Sequence, residues 1–253
     1  MKRNTLIAVT MFAASTLIAA DPKDTVTAAA KKLADGGNYS WKQTMDMGGG
    51  GGGFGGGGPQ VSEGKTQNGL TWTSRQMMDN TIESLAKGTN SIIKDQDGKW
   101  QTPEEMAAAR GDGGGGGGGG FGGRRGGGMF GGGVVLPATT AQEIAGLTTN
   151  LKEENGVISG DLTEAGAKAQ LAFGRGRGRR GGGGTPPEPT NAKGSVKFWV
   201  SNGVLIKYEL KNSGTMSFGG NDVEINRTTT VEFNNVGNTK IDAPADALKK
   251  IGG

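Results

Sequence analysis

The chain of 253 residues contains neither cysteine nor histidine. It therefore forms no disulfide and has no thiol nucleophile, and it lacks the side chain that most often acts as a general base near neutral pH. Zinc sites built from these two residue types are excluded as well. The sequence also lacks a nucleophile elbow, a phosphate-binding loop and a dinucleotide fingerprint. We therefore expect a protein that is not an enzyme and that binds no cofactor or metal.

Long apolar runs are missing from the sequence after its first 20 residues. Residues 1–20 begin with the basic pair Lys2–Arg3, continue as an apolar run and end in Ala19–Ala20 before a polar stretch. This order is typical of a secretory signal peptide, and the run falls short of the ~20 apolar residues that span a bilayer. We predict cleavage after Ala20, a periplasmic or extracellular location, and no stable membrane span after cleavage.

Glycine is the residue in large excess, with 52 copies. Of these, 34 lie in three tracts, at residues 48–58, 111–133 and 174–184, and the rest of the chain has an ordinary glycine content. The tracts fall between predicted elements, where an insertion costs little closure entropy. We predict a single α+β domain over residues 21–253 that carries these tracts as disordered inserts.

The net charge of +4 comes from the leader and the tracts, because the remaining sequence has 23 acidic and 20 basic residues. The basic residues of the tracts are Arg124, Arg125, Arg175, Arg177, Arg179 and Arg180. Arg–Gly segments of this kind contact phosphate electrostatically in RNA-binding proteins. Behind a signal peptide, we expect an anionic envelope polymer rather than nucleic acid as their partner. A solvated linker without a partner is the alternative.

Apolar periodicity predicts the elements of the first two thirds of the chain. A helix is predicted at residues 23–35, and the alternation of Tyr39, Trp41, Met45 and Met47 predicts a strand. The patterns Thr102–Pro103–Glu104–Glu105 and Thr140–Ala–Gln–Glu143 are read as capping boxes that open two short helices. Further strands are predicted at 61–66, 69–76, 80–85, 90–94, 147–153 and 157–162, and an Ala-rich helix at 163–171.

The last quarter of the chain reads as a series of strands joined by tight turns, which indicates an antiparallel sheet. The predicted strands lie at residues 195–200, 204–210, 215–218, 223–233 and 239–242, and a helical segment follows at 243–251. Helices grouped between two blocks of strands indicate the α+β class.

Three stretches of the sequence carry a family resemblance. The C-terminal GSVKFWVSNGVLIKYEL and VEINRTTTVEFNNVGNTKIDAPADALKKI resemble the closing strands of lipoprotein-carrier-like proteins of the LolA and LppX/LprG type. DTVTAAAKKLADGGNYSWKQTM is similar to their first helix and strand, and SIIKDQDGKWQTPEEM to a later turn and helix. The resemblance implies a curved antiparallel sheet, an open half-barrel, with helices packed on its concave side. It also implies that acyl chains are held between the sheet and the helices.

Two functions follow as hypotheses. The first is a carrier or binder of a lipid, a lipoprotein acyl chain or another apolar ligand, and we predict that Trp41, Trp72, Phe198 and Val231 line its cavity. Ordinary core packing is the alternative explanation for these side chains. The second hypothesis is a structural or interaction protein of the cell envelope that uses its Gly/Arg-rich loops to contact anionic polymers.

If the glycine tracts are inserts, a variant that lacks all three should unfold thermally at nearly the same temperature as the unmodified protein. The reason is that shortening a flexible loop changes its closure entropy only logarithmically. Circular dichroism during heating measures this. A loss of cooperative unfolding in the variant would show instead that the tracts are structural.

Overall fold

The computed structural model describes residues 21–48, 58–77, 80–109, 134–172, 188–218 and 221–252. The predicted signal peptide and nearly all of the glycine tracts lie outside these ranges, so the expectations about them stay predictions. The helices are α1 (Pro22–Gly36), α2 (Pro103–Ala109), α3 (Pro137–Gly146), α4 (Glu164–Ala172) and α5 (Ala245–Lys250). The strands are β1 (Asn38–Asp46), β2 (Gln60–Gln67), β3 (Leu70–Met77), β4 (Asn80–Lys87), β5 (Asn90–Lys94), β6 (Trp100–Gln101), β7 (Thr148–Glu154), β8 (Val157–Leu162), β9 (Thr190–Ser201), β10 (Val204–Phe218) and β11 (Asn221–Asn234).

All of these strands belong to one antiparallel sheet, in the order β6-β5-β4-β3-β2-β1-β11-β10-β9-β8-β7. The sheet consists of two meanders, β1–β6 and β7–β11, which are joined because the first strand pairs with the last. Its outer edges, β6 and β7, do not pair with each other, so the sheet stays open. The predicted α+β architecture, an open curved antiparallel sheet with helices on one side, is confirmed.

The helices α1, α3 and α4 cover one surface of the sheet, which we call the inner face; the opposite surface is the outer face. Helix α1 begins where the carboxylate of Asp21 accepts a hydrogen bond from the backbone N–H of Lys23, at 2.8 Å. It ends at Gly37, whose φ of 53° suits glycine. Its buried residues recur at helical spacing and face the sheet; they are Val26, Ala29, Ala30 and Leu33.

One of the two predicted capping boxes is confirmed and the other is wrong. The backbone N–H of Glu105 donates to the hydroxyl of Thr102, and the backbone N–H of Thr102 donates to the carboxylate of Glu105. Thr140, in contrast, lies inside α3, which begins three residues earlier at Pro137. Proline has its φ preset for a helix and no N–H to satisfy, so α3 starts there without a side-chain cap.

The end of the chain also differs from the prediction. The predicted strands at 204–210 and 215–218 are parts of one long strand, β10. The predicted strand at 239–242 is wrong, because the backbone N–H groups of this segment donate to side-chain oxygens and not to the backbone of a neighbouring strand. The backbone N–H of Thr239 donates to the side-chain oxygen of Asn38 at 2.7 Å, and that of Ile241 donates to Gln67 at 3.0 Å.

The two halves of the sheet bury opposite faces. On β1 and β8–β11 the inner face is apolar and packs under α1, α3 and α4; we call this the inner core. Ala86 and Ile93 are buried on the inner face of β4 and β5. The larger apolar cluster of β3–β6 lies on the outer face, where the C-terminal segment with α5 covers it; we call this the outer cluster. Its buried members are Leu85, Ile92, Trp100, Ala247 and Ile251.

The change of face occurs at β2, where Trp41 and Gly64 stand directly opposite each other. A Cβ atom at position 64 would overlap the indole ring of Trp41, so the ring lies across the glycine. The absence of a side chain at Gly64 therefore lets Trp41 cover the backbone of β2 and close this side of the inner core.

Replacing Gly64 by alanine should lower the free energy of unfolding by about 1–3 kcal/mol, the usual range for forcing extra atoms into a packed site. Urea denaturation measures the change. The matched control is Gly146→Ala, because a Cβ at position 146, the last residue of α3, meets nothing within 4 Å. Equal stability of the Gly64 and Gly146 variants would contradict the packing described here.

Candidate functional site

A continuous row of aromatic rings runs through the inner core across β1, β11, β10 and β9. The ring of Tyr39 lies 5.7 Å from that of Trp41 and 5.6 Å from that of Phe233, centroid to centroid. Tyr208 continues the row at 6.2 Å from Phe233 and 6.4 Å from Phe198. Tilted and edge-on pairs at these separations attract each other beyond their burial alone. We call these five residues, all buried in the inner core, the aromatic row.

The helices meet the sheet mainly through small side chains. Buried residues of α3 are Pro137, Ala138, Ala141, Ile144 and Ala145. Helix α1 contributes two further fully covered alanines, and α4 contributes Gly166 and Ala167. Because these side chains are short, most of the apolar bulk of the inner core belongs to the sheet.

The structure brings together three of the four side chains predicted to line a cavity. Trp41, Phe198 and Val231 are all buried in the inner core, and Val231 stands directly opposite Tyr208 in the register of β10 and β11. Trp72 lies elsewhere, on the outer face, where it packs against the outer cluster under the ammonium group of Lys65 at 5.4 Å. The six tract arginines lie outside the described residues. A role in binding stays a prediction for each of these residues.

Both tyrosines of the chain belong to the aromatic row, and neither was predicted to line the cavity. Burial raises the pKa of Tyr39 to about 12, and the nearby backbone amide of Ala138 at the start of α3 offsets a small part of that rise. Burial also raises the pKa of Tyr208, and a negative charge on Tyr39 would add to the effect. Both hydroxyls therefore stay neutral at physiological pH. The sequence did indicate that Tyr39 lies on the same strand face as Trp41, because the two residues alternate with polar ones.

A second group of residues that sequence reasoning missed lies at one end of the inner face, beside the C-terminal turn of α4. Arg227 of β11 donates from Nη2 to the backbone carbonyl of Gln170, and Asn212 of β10 stands directly opposite Arg227. Asn212 is only 3% exposed. The sequence contained one indication of this group. Arg227 occupies an inward position in the alternating series of β11, where the other inward positions are Ile225, Thr229, Val231 and Phe233.

Two open clefts lie on the outer face. The first, of about 420 Å³, is lined by outward-facing polar residues such as Asp46, Asp161, Lys193 and Lys211, and Asn212 and Arg227 also contribute to its lining. The second, of about 410 Å³, lies at the outer cluster, between Trp72, Trp100 and the residues that precede α5. Charges of both signs line the first cleft, which gives it no strong preference for a charged ligand.

Neither a metal group nor a membrane span is found within the described ranges. They contain no cluster of three or more acidic side chains arranged to hold a metal ion. Among the described helices, none is both long enough and apolar enough to cross a bilayer.

Comparisons with known proteins leave the chain without an assigned family. No family model and no curated protein matches it. The crystal structure of the Mycobacterium tuberculosis lipoprotein LppX is similar, with a TM-score of 0.39 and 10% sequence identity, over 87% of this chain and 98% of that one. A likeness at this level carries no functional argument, so the fold assignment rests on the strand order and helix packing described above.

The pKa of Tyr39 predicts a loss of stability at high pH. A tyrosine with an ordinary pKa of 10.0 ionises in the unfolded chain before Tyr39 does in the fold, where its pKa is about 12. The stability that this pKa difference contributes to the fold is therefore fully present below pH 10.0 and is lost as the pH rises to about 12. The difference in unfolding free energy between the unmodified protein and Tyr39→Phe should fall by about 2 kcal/mol over this range.

Urea denaturation at a series of pH values measures this difference. The other titratable groups are common to both proteins, so their effects cancel in the comparison. A Tyr39→Phe variant whose stability follows the same pH profile as the unmodified protein would contradict the burial of this hydroxyl.

Proposed function

We propose that this protein is a non-catalytic binder or carrier of a lipid or another apolar ligand, in the periplasm or outside the cell. The observation that carries the proposal is the inner core, a continuous apolar interior between the aromatic row of an open sheet and the small-residue faces of α1, α3 and α4. The ligand's apolar chain would lie between sheet and helices, against Trp41, Phe198 and Val231.

The small side chains of the helices are what make this interior suited to exchange. Alanines make up two of the four buried residues of α1 and three of the five of α3. Such a helix loses less apolar contact when it moves away from the sheet than one that buries only large side chains. An acyl chain gains ~0.8 kcal/mol for each methylene that it buries, so ten methylenes gain about 8 kcal/mol. That gain is of the same order as the whole stability of a domain. It is therefore large enough to offset the partial release of α1 or α3.

The location follows from residues 1–20, whose basic start, apolar run and small terminal residues are typical of a secretory signal peptide. A carrier outside the cytoplasm needs an interior that shields acyl chains from water during transfer. The edge strands β6 and β7 do not pair with each other, so the sheet does not close around that interior. The apolar chain of the ligand would enter where the helices part from the sheet.

The first test is extraction of the purified protein with organic solvent, followed by mass spectrometry of the extract, which should contain a lipid. The second is titration with hexadecan-1-ol, a neutral apolar probe, monitored by tryptophan fluorescence. Val231→Thr keeps the shape of the side chain but places a hydroxyl among the aromatic rings. It should weaken binding of the probe by about five- to tenfold, because a buried hydroxyl without a partner costs ~1–3 kcal/mol.

Ile206→Thr is the matched control, because Ile206 is 42% exposed and lies outside the inner core. It should bind the probe as the unmodified protein does. An extract free of lipid, together with no saturable binding of hexadecan-1-ol, would overturn the proposed function. Equal weakening by both variants would show that the probe does not enter the inner core.

A further inference from the structure

Asn212 and Arg227 form a polar pair at one end of the inner face. They are direct partners in the register of β10 and β11, so their side chains leave the sheet on the same side. On the neighbouring strand β9, a Cβ atom at Gly194 would lie 2.5 Å from the side-chain oxygen of Asn212. Because Gly194 has no side chain, the side-chain amide of Asn212 can occupy the space beside it.

The pair has polar atoms that the protein does not satisfy. Among the described residues, neither Nδ2 nor Oδ1 of Asn212 has a hydrogen-bond partner, and the Nε–H of Arg227 has none either. Nη2 of Arg227 donates to the carbonyl of Gln170, and Nη1 is not among the buried atoms that lack a partner. Leaving a buried polar atom without a partner costs ~1–3 kcal/mol, and more when the group is charged. The three unsatisfied atoms of this pair therefore lower the stability of the ligand-free protein.

The guanidinium of Arg227 also lacks an opposite charge. No ion pair with a described carboxylate is found for it, although 22 of the 24 acidic residues belong to the described ranges. Burial lowers the pKa of this side chain from its ordinary value, which shows that its surroundings disfavour the positive charge. An anion placed here would both neutralise the charge and accept hydrogen bonds.

Apolar residues continue from the pair into the inner core. Leu210 precedes Asn212 on the same side of β10, and Leu171 of α4 packs close to Gly214 on the same strand. Ile225 flanks Arg227 and packs against the inner core. Leu210 thus lies on one side of the pair and Ile225 and Leu171 lie on the other, so the pair places donors for a charged group among apolar side chains towards one end of the inner core. This arrangement suits an amphiphile with one anionic end.

We propose that Arg227 and Asn212 recognise the anionic headgroup, a carboxylate or a phosphate, of an amphiphile whose acyl chain lies in the inner core. This inference rests on the proposed function and names the class of its ligand. Nε of Arg227 and Nδ2 of Asn212 donate to the oxygens of the headgroup. Nη2 of Arg227 keeps its bond to Gln170 and holds the guanidinium in place.

The experiment compares hexadecanoate and hexadecyl phosphate with hexadecan-1-ol, at a pH well above the ordinary carboxylic pKa of ~4–5. The three probes share their chain length and differ in the headgroup. The unmodified protein should bind the anionic probes at least about tenfold more tightly than the alcohol, the usual effect of a hydrogen bond to a charged group. In Arg227→Met that preference should disappear, while affinity for the alcohol stays the same.

Arg75→Met is the matched control, because it makes the same substitution at an exposed position of β3 and should keep the preference. Asn212→Leu supplies a second readout. It should stabilise the ligand-free protein by removing two unsatisfied atoms and should weaken the anionic probes only. A merely structural asparagine would lose stability instead.

The outcomes separate this inference from the proposed function. Binding of alcohol and acid with equal affinity by the unmodified protein, or an unchanged preference in a folded Arg227→Met, overturns the headgroup site alone. Failure of all three probes to bind overturns the proposed function as well. Acetate or inorganic phosphate that competes as strongly as hexadecanoate overturns the assignment to a headgroup, since a free anion would then account for the site.

Discussion

The alternation of side chains along antiparallel strands is the constraint on which this structure depends. Most of the large apolar side chains of a strand lie on one face, and the pairing register of neighbouring strands decides which face that is. On β1 these side chains point inward with Trp41, whereas on β3 and β4 they point outward with Trp72 and Leu85. A single layer of helices cannot cover both faces. The chain therefore uses three helices on the inner face and its C-terminal segment on the outer face.

The same constraint shapes the interior that the helices cover. The sheet supplies the large aromatic side chains. The helices contact it through small residues together with a few larger aliphatic ones, Val26, Leu33, Ile144 and Leu171. This division lets α1 and α3 approach the sheet and each other closely. It also concentrates the apolar surface on the rigid, hydrogen-bonded part of the fold. A ligand that enters the interior therefore exchanges contacts with the helices while the sheet keeps its geometry.

Local signals allowed much of the secondary structure to be predicted from the sequence. The capping box at Thr102, the alternation of Tyr39 with Trp41 and the spacing of Val26 to Leu33 each depend on neighbouring residues only. Long-range features could not be predicted in this way. Alternation groups Leu70 with Trp72, but it does not tell which face another segment will cover. Likewise, the acceptors that replace a strand at 239–242 are the side chains of Asn38 and Gln67, some 170 to 200 residues away in sequence.

Arg227 breaks the pattern that places every neighbouring inward residue of β11 in apolar surroundings. Nothing in the fold of the sheet requires a cation there, because its bond to the Gln170 carbonyl uses one nitrogen and leaves the charge uncompensated. A methionine of similar length would fill the same space without the desolvation cost. Where local reasoning from packing fails at a buried charged position, a functional constraint is the expected cause. The proposed anionic headgroup would supply that constraint, since the same cost becomes a favourable interaction once the headgroup is bound.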